Sequence, residues 1–150
     1  MSAFRFRLQS VMRLRMRERD KAAQSLQQAQ LAKQKLLHQI AELEAENQQQ
    51  VSVRSAASLG RVDVQRVIDA QRYQLNLSEN ISSLQGNVEL IEQEIEKRLA
   101  KLVMSEQGVK ALEKLEEHGR NNWHAEQFAR SQATLDEWSS IQHFQRHLEP

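Results

Sequence analysis

A heptad pattern of apolar residues runs through residues 77–112, LSENISSLQGNVELIEQEIEKRLAKLVMSEQGVKAL. Alternating steps of four and three pick out eleven positions, nine of them apolar: Leu77, Ile81, Leu84, Val88, Ile91, Ile95, Arg98, Leu102, Ser105, Val109 and Leu112. The residues between these positions are mostly polar, so only one stripe of the helix needs burial. The pattern predicts a coiled-coil seam rather than a helix of a globular domain.

A weaker copy of the pattern lies in the first third of the chain. The same spacing picks out nine positions, six of them apolar: Ala22, Leu26, Ala29, Lys33, Leu36, Ile40, Leu43, Asn47 and Gln50. Polar residues such as Lys33 and Asn47 weaken a seam, but they can also fix its register. Upstream of residue 22 the apolar residues leave the heptad, so we expect an irregular seam at the start of this helix.

The segment between the two patterns, SVRSAASLG at residues 52–60, predicts a turn at about 52–62. Its small residues and Gly60 favour a turn, and Asp63 is placed to cap the helix that follows. A turn this short makes the flanking helices antiparallel neighbours. The sequence therefore predicts an all-α fold, a long antiparallel two-helix coiled-coil hairpin that forms a single elongated unit over residues 1–150. Helix one is expected at about 3–51 and helix two at about 63–118.

The expected register follows from a turn centred near residue 57. It places Leu43 opposite Gln71 and Leu8 opposite Glu106, so that helix one ends opposite residue 111. Gly119 and the asparagines after it predict a break, followed by an overhanging C-terminal helical extension at about 120–148. The extension carries apolar residues that are costly to leave in water: Trp123, Phe128, Leu135, Trp138, Ile141 and Phe144. They form a candidate partner surface, unless they fold back on Phe4 and Phe6 or self-associate.

Composition excludes several classes of protein. One Pro and four Gly in 150 residues leave too few turns for a β-sandwich or barrel. The absence of Cys excludes disulfides and thiolate metal sites, and no apolar stretch is long enough to span a membrane.

Charge is distributed unevenly along the chain, although its net value is only +1. Residues 1–21 carry a net charge of +5, and residues 112–150 carry −3. The basic start suits an acidic protein rim, an anionic membrane surface or nucleic-acid phosphates, and it can also pair with the acidic end. We rank docking onto a protein first.

The sequence contains no recognisable catalytic constellation. It has no Gly-rich phosphate loop, no Gly-x-Ser-x-Gly and no His-Glu-x-x-His. His143 and His147 share a helix face, but two ligands without a third make a weak metal site, so we interpret them as surface residues. We predict a non-enzymatic protein without a metal or cofactor.

Several segments, in order, resemble the flagellar type III export protein family FliJ. They are FRFRLQSVMRLR at residues 4–15, VIDAQRYQL at 67–75 and KALEKLEE at 110–117, followed by Trp123, Glu126, LDE at 135–137 and Phe144. The resemblance covers essentially the whole chain. The Gln-rich and Ala-rich first helix departs from the family pattern, because it is less apolar than expected.

The resemblance implies a stalk-like antiparallel coiled coil of the flagellar export apparatus. Such proteins sit in the pore of the hexameric export ATPase (FliI), promote its ring assembly and activity, contact the cytoplasmic domain of the export gate (FlhA) and interact with export chaperones. It also implies a cytoplasmic location, peripheral at the inner face of the cell membrane. Three alternatives stay open: the stalk of a virulence secretion system, a basic coiled-coil scaffold that binds membranes or nucleic acid, and a prefoldin-like chaperone hairpin.

The resemblance also suggests where the partners bind. We expect the paired termini to engage the ATPase ring through Phe4, Arg5, Phe6, Arg7, Leu8, Trp123, Trp138 and Phe144. We expect the half of the chain near the turn to meet the gate through Leu43 and Tyr73.

Overall fold

The computed structural model describes residues 3–146, which form two long α-helices and no strand. Helix α1 spans Gln9–Ala57 and contains 49 residues, and helix α2 spans Val64–Arg146 and contains 83 residues. The two helices pack against each other as an antiparallel hairpin, which confirms the predicted fold class.

The chain divides into two compact units. The hairpin unit comprises Asp20–Met104 and contains the connection between the helices. The terminal unit comprises Met1–Arg19 together with Ser105–Pro150. Each unit contains a part of α1 and a part of α2.

The connection between the helices lies at residues 58–63, later than the sequence predicted. The predicted start of the turn, SVRSAA at 52–57, continues α1 because it contains no helix-breaking residue. Helix α1 ends where the amide and the hydroxyl of Ser58 both donate to the carbonyl oxygen of Arg54, at 3.1 and 2.8 Å. Gly60 then takes a left-handed conformation with φ of 88°, which glycine adopts without a steric penalty.

Asp63 caps the N-terminus of α2, as the sequence predicted. Its Oδ1 accepts hydrogen bonds from the amides of Gln65 at 3.1 Å and Arg66 at 3.4 Å. These amides have no partner within the helix, and an Asp cap contributes about 1 kcal/mol of stability.

The seam of the hairpin unit is buried between α1 and α2. Eleven of the predicted seam residues lie in this unit, and each is buried or half-buried: Leu26, Leu36, Ile40, Leu43, Leu77, Ile81, Leu84, Val88, Ile91, Ile95 and Leu102. Leu77 is the most buried of them, with 3% of its surface exposed. Val109 and Leu112 occupy the same stripe of α2 in the terminal unit, where they are buried and half-buried respectively.

The register in the hairpin unit differs from the predicted one. Lys33 Nζ lies 2.6 Å from Glu92 Oε1, whereas a turn centred at residue 57 would place Lys33 opposite Ile81. The Arg98–Ser25 contact is displaced in the same direction, so the predicted register was wrong by two to three helical turns. Most of the error follows from the position of the turn, because the connection is centred at residues 60–61 and each residue by which the turn moves displaces the paired position on α2 by two.

One polar atom of the seam is left without a partner. Asn47 Oδ1 is buried and accepts no hydrogen bond from any described residue. Such an atom costs about 1–3 kcal/mol relative to an apolar side chain of the same shape. Asn47 therefore weakens the seam near the turn.

Helix α2 passes through Gly119 without interruption, so the predicted break at this position was wrong. Gly119 packs against the ring of Phe4, and a Cβ atom added to it would lie 3.3 Å from Phe4 Cζ. The glycine provides room for an aromatic ring instead of ending the helix. The overhang expected beyond residue 111 does not begin there, because Trp123 lies against Phe4.

We predict that alanine substitutions distinguish Gly119 from Gly108, which has no heavy atom within 4 Å of an added Cβ. Gly108→Ala should raise the free energy of unfolding by about 1 kcal/mol, because alanine favours the helix. Gly119→Ala should raise it less, because the Phe4 ring must move. Urea denaturation followed by circular dichroism measures both effects.

The matched control repeats the two substitutions in a Phe4→Ala background. There Gly119→Ala should stabilise the protein as much as Gly108→Ala does. Equal gains from Gly119→Ala with and without Phe4 would contradict the packing described here.

Candidate functional site

Five of the eight residues expected to bind the ATPase lie together at the start of the terminal unit. Phe4, Phe6 and Leu8 are half-buried, whereas Arg5 and Arg7 are exposed. Residues 3–6 precede α1 and are not helical, so neighbouring side chains can point to opposite sides. Because apolar residues and arginines alternate, the apolar side chains of this segment are half-buried, whereas both guanidinium groups stay in solvent.

Phe4 is held by an aromatic and cationic cluster on α2. Its ring lies 6.4 Å from the ring of Trp123 at an interplanar angle of 56°. The guanidinium carbon of Arg120 lies 6.0 Å from the centre of the Phe4 ring, at the limit of a cation–π contact. Trp123 in turn meets the ring of His124 edge-on at 4.9 Å. These contacts fix the chain before α1, and with it Arg5 and Arg7.

Trp138 and Phe144 do not join this cluster. They are 66% and 73% exposed, and Trp138 lies fifteen residues after Trp123 on the same continuous helix. At 1.5 Å per residue this separates the two tryptophans by about 22 Å. The eight predicted residues therefore form two separate surfaces. The second belongs to a stretch, Phe128 to Gln145, in which every side chain is exposed.

The first turns of α1 continue the basic surface of the terminal unit. Arg13, Arg15 and Arg17 are exposed, and Arg15 forms an ion pair of 3.0 Å with Glu18 on the same helix. Arg19 is half-buried and lines a small hollow with Glu106, Val109, Lys110 and Glu113. This surface is suited to a partner with acidic groups.

The two residues expected to contact the gate lie near each other in the hairpin unit. Leu43 is half-buried in the seam, and the hydroxyl of Tyr73 donates a hydrogen bond to Glu46 Oε1 on α1. Residues 43 and 46 are three apart and share a helix face, so Leu43 lies within one turn of this contact. The hydrogen bond to Glu46 raises the pKa of Tyr73 above its ordinary value.

Tyr73 also borders an open groove between the two helices. The groove has a volume of about 710 Å³, and its lining includes Gln50, Val53, Arg54, Ala57, Ala70 and Tyr73. Tyr73 is 40% exposed, so its ring is accessible to a partner, whereas Leu43 contributes mainly to the seam.

Sequence reasoning missed a group of exposed apolar residues around the connection between the helices. They are Val53, Leu59, Val62, Val64 and Ile68. The sequence contains a signal for this surface, because aliphatic residues in a short turn lie outside the seam and cannot be buried there. The small residues of the same segment indicate a turn, but they do not show that its aliphatic side chains stay exposed.

The described residues contain no group of three or more His, Asp or Glu side chains that could hold a metal ion. His147 lies outside the described residues, so the structure does not describe its pairing with His143. Neither α1 nor α2, within residues 3–146, contains a stretch apolar and long enough to cross a membrane.

Comparison with known proteins identifies the family. No curated protein and no solved structure gives a significant match to the chain. The family model of the flagellar FliJ protein matches residues 4–148, which is nearly the whole sequence. The chain therefore belongs to the flagellar FliJ protein family.

Proposed function

We propose that the chain is a central stalk of flagellar protein export, which binds and stimulates the hexameric export ATPase (FliI). In this proposal it also links the ATPase to the cytoplasmic domain of the export gate (FlhA) and to export chaperones, peripherally at the inner face of the cell membrane. Membership of the FliJ family makes the chain a structural component of flagellar export. The match to a flagellar family favours this role over that of a virulence-system stalk.

The Phe4 cluster is the observation that carries the ATPase proposal. A flexible basic arm would lose conformational entropy when it binds, whereas the contacts of Phe4 with Trp123 and Gly119 order the arm in advance. Arg5 and Arg7 are then presented to solvent on a fixed segment. Guanidinium groups held in this way suit bidentate pairing with carboxylates on the ATPase ring.

We predict that Arg5→Glu combined with Arg7→Glu weakens stimulation of the ATPase. Both side chains are exposed, so the fold should be retained, and circular dichroism checks this. Loss of two charge-assisted contacts should raise the concentration of chain needed for half-maximal stimulation by at least about tenfold. Phosphate release measures stimulation, and light scattering measures formation of the hexameric ring.

The matched control is Lys35→Glu combined with Lys97→Glu, which reverses two exposed charges in the hairpin unit. It should leave stimulation close to that of the unaltered chain. An equal loss in the control would show a general charge effect instead of a contact at the arm. If the unaltered chain changes neither hydrolysis nor ring formation, the stalk assignment fails.

Contact with the gate is proposed for the face of the hairpin unit that carries Tyr73. The ring of Tyr73 is accessible beside the groove, and its hydroxyl is held by Glu46. A rigid and partly exposed tyrosine is a common anchor of protein interfaces. Leu43 would support this anchor from within the seam.

We predict that Tyr73→Ala weakens binding of the purified cytoplasmic domain of the gate by at least about tenfold, because an aromatic anchor is lost. Tyr73→Phe keeps the ring and should bind within about threefold of the unaltered chain, because the hydroxyl already bonds to Glu46. Isothermal titration calorimetry measures both affinities.

Leu75→Ala is the control for the gate experiment. Leu75 is exposed and lies two residues away, on another side of α2. Its substitution should leave the affinity unchanged. If Leu75→Ala weakens binding as much as Tyr73→Ala, or if Tyr73→Ala has no effect, the gate does not use this face.

A further inference from the structure

The connection between α1 and α2 exposes an apolar surface that nothing in the hairpin unit covers. We call residues 53–68 the turn tip. Leu59 is 80% exposed, more than any other large hydrophobic side chain among the described residues. Val62 and Val64 are more than half exposed, and Val53 and Ile68 extend the surface onto the two helices.

The turn tip is also basic. It contains three arginines, Arg54, Arg61 and Arg66, and one acidic residue, Asp63, so its net charge is +2. Asp63 is engaged as the cap of α2, and its Oδ2 lies 3.4 Å from Arg66 Nε. Arg54 Nη1 donates a hydrogen bond of 3.2 Å to Gln74 Oε1, and all three arginines are exposed, so the remaining positive charge is accessible to solvent.

The arrangement of these residues does not form a stripe along one helix face. Leu59 and Val62 lie in the connection itself, and Val64 begins α2. Exposed apolar side chains thus extend from the end of α1 through the connection to the start of α2, with arginines between them in the sequence. Such a surface is not the single helix face that a helix-binding protein groove covers.

We propose that the turn tip docks onto an anionic lipid surface. Leu59 and Val62 enter the boundary between headgroups and acyl chains, and Arg61, which lies between them in the connection, contacts lipid phosphates. Arg54 and Arg66 add to the positive charge beside it. Stable binding at a membrane surface requires two signals, and the turn tip supplies both apolar area and positive charge. The described turn tip contains no aromatic side chain, which also argues against a shape-specific protein pocket, since such pockets are commonly filled by Trp or Tyr.

Because the chain contains no Cys, single cysteines provide specific labelling sites. An environment-sensitive fluorophore is attached to Ser58→Cys in the turn tip and, as a matched control, to Ser82→Cys, which is exposed on α2 of the same unit. Ser10→Cys and Ser139→Cys report on the basic start of α1 and on the exposed aromatic stretch. The probes are vesicles of phosphatidylcholine alone or mixed equally with phosphatidylglycerol, with brominated acyl chains as quencher.

The proposal predicts that the label at residue 58 shifts to the blue and is quenched on mixed vesicles, whereas the label at residue 82 is not. If labels at residues 10 or 139 respond and the label at 58 does not, another element binds the membrane and the proposal is wrong. It is equally wrong if no label responds.

Substitutions of the tip itself provide the second measurement, by co-sedimentation of the full chain with mixed vesicles. Arg61→Glu changes the charge by two and should weaken binding about thirtyfold. Leu59→Ser combined with Val62→Ser should abolish quenching at residue 58, whereas Leu75→Ser combined with Leu90→Ser, which are comparably exposed, should not.

The same tip variants separate this inference from the proposed function. Leu59→Ser combined with Val62→Ser should stimulate the ATPase as well as the unaltered chain does. If these substitutions weaken binding of the purified gate domain and leave vesicle binding intact, the turn tip is a protein contact and the lipid proposal is overturned.

Discussion

Burial of one apolar stripe of α2 against α1 is the interaction on which the rest of the structure depends. Neither helix has an apolar face broad enough for a globular core. Helices in proteins obtain most of their stability from packing against other elements. The stripe contains Leu77 and, in the terminal unit, Val109, which are 3% and 2% exposed. This packing holds in place the helices that carry the candidate docking surfaces, which are the Phe4 cluster, the Tyr73 face and the turn tip.

Polar residues determine how the two helices align. Arg98 interrupts the heptad, yet its Nη1 donates a hydrogen bond of 2.7 Å to the carbonyl oxygen of Ser25 on α1. Its Nε also pairs with Glu94 one turn earlier on α2. Lys33, another interruption, pairs with Glu92. Apolar residues alone allow a helix pair to slide by a heptad, whereas the Arg98–Ser25 and Lys33–Glu92 contacts join the two helices and favour the observed alignment.

Much of the fold could be predicted from the sequence, because heptad spacing reports directly on which helix face is buried. The end of α1 at Ala57 could not be predicted, because a run of small residues suits both a turn and a helix. The predicted register was wrong for the same reason. The role of Gly119 depends on Phe4, which is distant in the sequence. For the candidate site, the resemblance grouped Trp123 with Trp138. Their separation could not be predicted, because it depends on α2 being continuous between them.

The alignment of the helices can be tested directly by cross-linking, because the chain contains no native Cys. A short bismaleimide reagent is applied to Lys33→Cys combined with Glu92→Cys, and separately to Lys33→Cys combined with Ser82→Cys. Residues 82 and 92 lie about 15 Å apart along α2, so the reagent distinguishes the observed register from the one expected from sequence. The account predicts an efficient cross-link within one chain for the 33–92 pair and little for the 33–82 pair. A preference for 33–82, or cross-links that form only between two chains, would contradict it.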